Sequence, residues 1–337
     1  MTKAMILAAG YGTRLRPVTY TLPKPMVPVC NRPLIGYAVE AFLRAGIRDI
    51  VINLHHLPEA IESYLRTRYV RDCKFVFSQE PEILGTGGGV RKVRAQLEGG
   101  EFFLVNADTI QFPRWERLLE ARRERDSLAA LTLRHPPEGD RFTPVYFDGG
   151  LVTGFGKGTG EPLMFSGSHA ISERIFQWLP EKEFSGIVDE AYQPAIDSGR
   201  ETLAGAIDDG LWFDIGTPQR YIAASRALLQ LTIDGQVDLA PGSKIDGDSL
   251  VHETTHGRLS RSCAGARTTI EGEVRDSAIW DDCRIAAGVE LESCIVAHGV
   301  ELAQPIALKN ALITRDDPSI PRDSGYRFEQ GLAIFEF

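Results

Sequence analysis

Ala4-Met-Ile-Leu-Ala-Ala-Gly-Tyr-Gly-Thr-Arg-Leu-Arg-Pro17 runs from six apolar residues directly into a glycine loop that carries two arginines. A continuous apolar run of this length predicts a strand buried on both faces, as strands of parallel sheets are. Outward from it, apolar residues recur at helical spacing from Pro33 to Ala45, Gly46 stops the helix, and Asp49-Ile-Val-Ile-Asn-Leu54 reads as the next strand. The alternation continues with a helix around Pro58 to Arg68, a strand from Lys74 to Ser78, a helix from Gly88 to Leu97 and a strand from Phe102 to Asn106. Such alternation predicts an open α/β sheet, whose ligands sit outside the carboxyl ends of the strands. Gly10, Gln79, Gly85 and Asp108 fall at those ends.

Beyond about residue 232 the helical spacing fades. Apolar positions recur every six residues at Leu239, Ile245 and Val251, again at Ile279, Ile285 and Leu291, and then at Leu302 and Leu308. A six-residue period is the signature of a parallel β-helix, here interrupted between about 252 and 278. The 337 residues exceed what one core usually serves, so the expected division is an α/β domain over 1–232 and a repeat domain over 233–337.

Composition narrows the function. With 43% hydrophobic and 25% charged residues the chain is an ordinary globular protein. Its net charge is −9, and no basic run interleaves with aromatics, which argues against a nucleic-acid partner. Small anions remain open, because aligned N–H groups and a few cations set the local field. Five scattered cysteines without a Cys-x-x-Cys pair, and no apolar stretch of membrane length, predict a reducing, cytoplasmic setting and no membrane partner.

In the loop, Gly10 and Gly12 let backbone N–H groups approach phosphate oxygens closely, and Arg14 and Arg16 offer forked donors. A dinucleotide fingerprint would need glycine where Leu15 stands, and a P-loop would need Gly-Lys-Ser/Thr. An isolated Gly-x-Gly after a strand is a plain turn; Pro23-Lys24-Pro25 changes that reading, because two φ-restricted neighbours aim one ammonium. Together, Gly10 to Pro17 and Pro23 to Pro25 resemble the signature of the sugar nucleotidyltransferases, or sugar-nucleotide pyrophosphorylases, and the resemblance extends over roughly residues 3 to 230.

The resemblance implies a Rossmann-like open mixed sheet that moves a nucleoside monophosphate from a nucleoside triphosphate onto a sugar 1-phosphate. It implies catalytic roles for Arg14 on the triphosphate and Lys24 on the transferring α-phosphate. Ala8, Gly10, Gly12 and Thr13 would line the phosphates. Gln79-Glu-Pro-Glu-Ile-Leu-Gly-Thr-Gly-Gly-Gly89 resembles the family's base-recognition loop, which makes Gln79, Gly85 and Thr86 nucleotide-binding candidates. Val105-Asn-Ala-Asp108 and Trp212-Phe-Asp-Ile-Gly-Thr-Pro218 look like its two metal motifs, with Ala107 where glycine is common, and put Asp108 and Asp214 on Mg2+. Lys157, in Phe155-Gly-Lys-Gly-Thr-Gly160, matches the sugar-phosphate lysine without the family's usual Glu-Lys-Pro. Glu161 and Gly167, the latter in Phe165-Ser-Gly-Ser168, resemble the sugar segment, with Ser166 where several members have asparagine.

Among family members the nearest resemblance is to mannose-1-phosphate guanylyltransferases with a C-terminal left-handed β-helix, which implies GTP and mannose 1-phosphate. The Gly-Thr-Gly-Gly-Gly form is also similar to N-acetylmuramate-1-phosphate uridylyltransferases, which keeps UTP, and dTTP, as alternatives. A non-catalytic regulatory homologue is a further alternative, and a homo-oligomer assembled through the repeats is expected. His252-Glu-Thr-Thr-His256 fits the zinc-protease pattern, but β-branched threonines and Gly257 favour strand or turn there. His298 raises the option of an acyltransferase activity in the repeats, against an exposed turn histidine.

Overall fold

The computed structural model describes residues 3–137 and 142–337. The chain divides into two compact units, residues up to Gly10 with Ile35–Trp212, and Tyr11–Leu34 with Phe213–Phe337.

The first unit is built on nine strands: β1 (Lys3–Leu7), β2 (Asp49–Leu54), β3 (Lys74–Gln79), β4 (Glu101–Asn106), β5 (Ala129–Arg134), β6 (Val145–Asp148), β7 (Leu151–Phe155), β8 (Glu161–Ser172) and β9 (Leu203–Ile207). Their order in the sheet is β3-β2-β1-β4-β8-β5-β9-β7-β6. The first four are parallel, as apolar runs alternating with helices predict, and β8 then enters antiparallel against β4, so the sheet is mixed. Met5, Val51, Leu104 and Leu131 bury into one core with Val90 and Tyr192. The helices α1 (Leu34–Arg44) and α2 (Pro58–Arg68) lie where the spacing places them, and Gly46 at φ 74° closes the turn after α1.

The next helix differs from its expectation. α3 spans Gly85–Lys92, starting before Gly88, and the chain breaks at Val93 before a short helical turn at Arg94–Leu97. Glycine is a poor helix former in isolation, so the pattern hides this start. The glycines are there for proximity. A Cβ on Gly87 would lie 2.8 Å from Ser185 Oγ, and one on Gly88 would lie 2.8 Å from the Glu183 carbonyl oxygen.

In the second unit, the 16-residue helix α5 (Pro218–Ile233, numbered after α4, Trp115–Glu124) precedes short strands that pair mainly in parallel in three sheets. Ala264, Ile279, Val296 and Ile313 pair in register on successive parallel strands, whose partners are 15 and then 17 residues apart. Between these strands the six-residue spacing holds: Ile279, Ile285 and Leu291 are buried, as are Val296, Leu302 and Leu308. The stretch from Leu239 departs from it. Leu239 is 41% exposed, because this stretch offers its carbonyl to Arg32 instead of a side chain to the core.

The segment Tyr11–Leu34 belongs to this unit through polar contacts that composition does not register. Arg32 donates to the Asp238 and Leu239 carbonyls, Asn31 to Ser243 Oγ and the Ala264 carbonyl, and Cys263 Sγ lies 3.6 Å from Cys30 Sγ. The compact units therefore cut the chain elsewhere than the change of sequence texture at 232. All five cysteines are free. No helix among the described residues is long and apolar enough to cross a membrane.

Candidate active site

In the first unit, the carboxyl ends of the four parallel strands carry the expected positions. β1 ends at Leu7 and leads through Ala8 to Gly10, β3 ends at Gln79, α3 starts on Gly85 at φ 73°, and β4 leads to a half-buried Asp108. The Ala8 N–H donates to Asn53 Oδ1 at 2.8 Å. Gln79 is exposed, and its amide donates to Glu62 Oε1 at 3.2 Å. Thr86 Oγ1 accepts from the Ile187 N–H at 2.8 Å, which fixes the first turn of α3.

On the antiparallel side, β8 loses register with β5 between Phe165 and His169, and this bulge presents Ser166-Gly-Ser168. Gly167 has φ 94°, and a Cβ there would lie 2.8 Å from Asn106 Nδ2. The Ser166 carbonyl accepts from Gln111 Nε2 at 3.1 Å and Trp212 Nε1 at 3.0 Å, and Ser168 Oγ donates to Gln111 Oε1 at 2.8 Å. Glu161 is bound to a residue the sequence reading passed over: His135 Nε2 lies 3.1 Å from Glu161 Oε1, and its Nδ1 lies 2.8 Å from Asp209 Oδ2. The Asp209 and Glu161 hydrogen bonds raise the His135 pKa above the ordinary imidazole value. Lys157 is exposed on the turn after β7, with its carbonyl packed over Gly154.

In the second unit, Gly12 takes φ 63°, which favours glycine, and accepts at its carbonyl from Thr19 Oγ1 at 2.9 Å. A Cβ on Gly12 would lie 2.7 Å from Lys24 Cβ, so this glycine is what lets the lysine stem pass beside the loop. Pro23 precedes a 3-10 turn at Lys24–Met26 that contains Pro25, and Lys24 is only 7% exposed. Thr13 and Arg14 are exposed on the turn Thr13–Leu15, and the Arg14 guanidinium lies over Gly216, beside Asp214. Asp214 is ion-paired with Arg220. Cations and a carboxylate thus gather around glycine backbone, an arrangement suited to phosphate oxygens.

Asn53, Glu80, Asn106 and Gln111 were not among the expected residues; each lies at or next to a strand end, but its partners are distant in sequence. Among the described residues no three His, Cys, Asp or Glu side chains group as a metal site. His252–His256 is strand, turn and strand, with no helix to align two imidazoles. His298 lies on an exposed turn, its ring centroid 5.1 Å from that of Trp280.

A mixed α/β sheet with a glycine loop and its paired lysine defines a nucleotide-handling transferase. The chain belongs to the nucleotidyl transferase family, whose model matches residues 3–231. It is 30% identical to a probable mannose-1-phosphate guanylyltransferase 2 of Oryza sativa subsp. japonica, over 92% of this chain and 85% of that one. It is 28% identical to the mannose-1-phosphate guanylyltransferase catalytic subunit beta of Danio rerio, over 94% and 91%. Among solved structures, HddC from Yersinia pseudotuberculosis complexed with GMP-PN shares the fold at a TM-score of 0.58 and 22% identity, covering 68% of this chain and all of that one. A UDP-glucose pyrophosphorylase complexed with UDP-glucose does so at 0.57 and 20%, covering 68% and 99%.

Proposed function

We propose that this chain transfers a nucleoside monophosphate from a nucleoside triphosphate to a sugar 1-phosphate, with GTP and mannose 1-phosphate as the pair, giving the nucleotide-linked sugar and pyrophosphate. The observation that carries the pair is the alignment, over 92% of the chain, with relatives that bear that name. The chemistry draws support from a lysine that two prolines and a left-handed glycine hold almost out of solvent.

A sugar 1-phosphate oxygen attacks the α-phosphorus in line. One P–O bond forms as the α–β bridging bond breaks, and that electron pair leaves on pyrophosphate. The nucleophile is already ionised, so no general base is needed. Arg14 and the N–H groups of Ala8, Gly10, Gly12 and Thr13 neutralise the leaving pyrophosphate, and Lys24 the α-phosphate. Gln79, Gly85 and Thr86 read the base. Lys157 orients the attacking phosphate, with Glu161 and Gly167 on the sugar side. Asp108 and Asp214 offer the hard oxygen donors that magnesium takes, so they would hold Mg2+, with Arg220 sharing the charge of Asp214. The bound ion supplies further charge neutralisation on the phosphate oxygens.

We also read the C-terminal parallel strands as a left-handed β-helix through which subunits of a homo-oligomer meet, residues 1–232 as the catalytic part, and the protein as cytoplasmic. UTP with N-acetylmuramate 1-phosphate is the second reading, favoured by the run of glycines in α3. Pyrophosphate release measured over the four ribonucleoside triphosphates and dTTP, crossed with a panel of sugar 1-phosphates, tests the proposal. GTP with mannose 1-phosphate is expected to be turned over fastest. A faster uridylyl pair would replace the substrate assignment, and nucleotide binding with no turnover by any pair would favour a regulatory homologue.

A further inference from the structure

Two buried polar side chains join the strand end that feeds the phosphate loop to the loop that precedes α3. Asn53 and Glu80 are each 3% exposed. Asn53, next to last in β2, accepts from the Ala8 N–H through Oδ1 at 2.8 Å and donates through Nδ2 to Glu80 Oε1 at 2.8 Å. The other oxygen, Glu80 Oε2, accepts from the Leu84 N–H at 3.0 Å. The backbone of Glu80 is pinned as well, its N–H to the Leu54 carbonyl at 2.7 Å and its carbonyl to His55 Nδ1 at 2.7 Å. Helix α3 closes over the pair at Gly89, where a Cβ would lie 3.0 Å from Asn53 Nδ2 and 3.1 Å from Glu80 Oε1.

A buried carboxylate with both oxygens bonded is costly to disturb, and here its partners have a direction. At one end is Ala8, two residues before Gly10; at the other is Leu84, one residue before Gly85. We propose that Glu80 and Asn53 are positioning residues that set the base-reading loop at a fixed distance from the triphosphate-binding strand end. Nucleotide recognition, and not sugar recognition, then depends on them. The proposal rests on the nucleotidyl transfer reading above and adds to it which buried groups hold the nucleotide site in register.

The donor and acceptor pattern gives a sharp test. Glu80→Gln removes one acceptor, so its amide nitrogen faces either Asn53 Nδ2 or the Leu84 N–H. Adding Asn53→Asp restores the pattern with the charge moved by one side chain. The carboxylate at 53 accepts from the Ala8 N–H and from the new amide, whose oxygen accepts from the Leu84 N–H.

Glu80→Gln is expected to raise the apparent KM for the nucleoside triphosphate about tenfold or more while the sugar 1-phosphate KM stays within about twofold, since small misplacements of bound groups are amplified this way. The double variant should return the nucleotide KM to within about threefold of wild type. Calorimetric titration of GTP and UTP, with thermal melts, accompanies the kinetics. A folded Glu80→Gln with unchanged nucleotide KM, an equal rise in both KM values, or a folded double variant without recovery would overturn the inference. If wild type binds a nucleotide but turns over no pair, the transfer reading fails, and the calorimetric affinities still decide the role of Glu80 and Asn53.

Discussion

Lys24 has the restricted backbone that its neighbouring prolines imply. Its two proline neighbours set a 3-10 turn, and the missing side chain of Gly12 opens the space its stem crosses. Removing a preorganised charge on a transferring phosphate costs about 3 kcal/mol, or roughly a hundredfold in rate. Lys24→Ala is therefore expected to lower kcat for pyrophosphate release by about two orders of magnitude with a melting temperature near wild type. Near-normal kcat in a folded variant would remove Lys24 from the chemistry. Such residues were legible because local backbone chemistry, proline and glycine, announces them. Asn53, Glu80 and Gln111 were not, because their importance lies in partners 27 to 57 residues away that no local pattern encodes.

Among the elements, α3 shows how context reverses an intrinsic preference. Replacing a helical glycine by alanine ordinarily stabilises by about 1 kcal/mol. At Gly88 the new Cβ would meet the Glu183 carbonyl oxygen at 2.8 Å and Leu84 Cβ at 2.9 Å, both attached to backbone that cannot swing aside. Gly88→Ala is expected to destabilise by about 1–3 kcal/mol, read as a lower urea midpoint at unchanged m-value. The strands β2 and β3 and helices α1 and α2 could be read within a residue or so, since β2 is a continuous buried run, β3 alternates and the helices bury residues at helical spacing. The start of α3 could not, because its glycines serve packing against Ser185 and Glu183 that periodicity cannot detect.

For the whole molecule, one buried imidazole ties stability to pH. Burial pushes the His169 pKa down to about 3, and its Nδ1 lies 2.8 Å from the Tyr192 hydroxyl. The unfolded chain takes up a proton at this site near pH 6.5 while the folded chain does not until about 3, so unfolding binds protons throughout that window. Stability from this group is intact above pH 6.5 and is lost progressively as the pH falls toward 3. The urea midpoint is expected to be lower at pH 4.5 than at pH 7, and a His169→Asn variant should narrow the difference; an equal difference in both would assign it to other groups.

The second unit has a separate consequence. A chain ended after Ile233 would strip Arg32 of the Asp238 and Leu239 carbonyls and Asn31 of Ser243 and Ala264. Losing a hydrogen bond to a charged group of this kind costs about 1.5–3 kcal/mol. The truncated chain is expected to be cleaved within residues 11–34 by trace protease and to release no pyrophosphate; full activity would contradict this. Recombination is constrained in the same way. Chimeras that exchange the repeats of two relatives at a single crossover would pair one parent's N-terminal segment with the other's repeats. The exchangeable block is split in the gene, and a working graft has to carry both of its pieces.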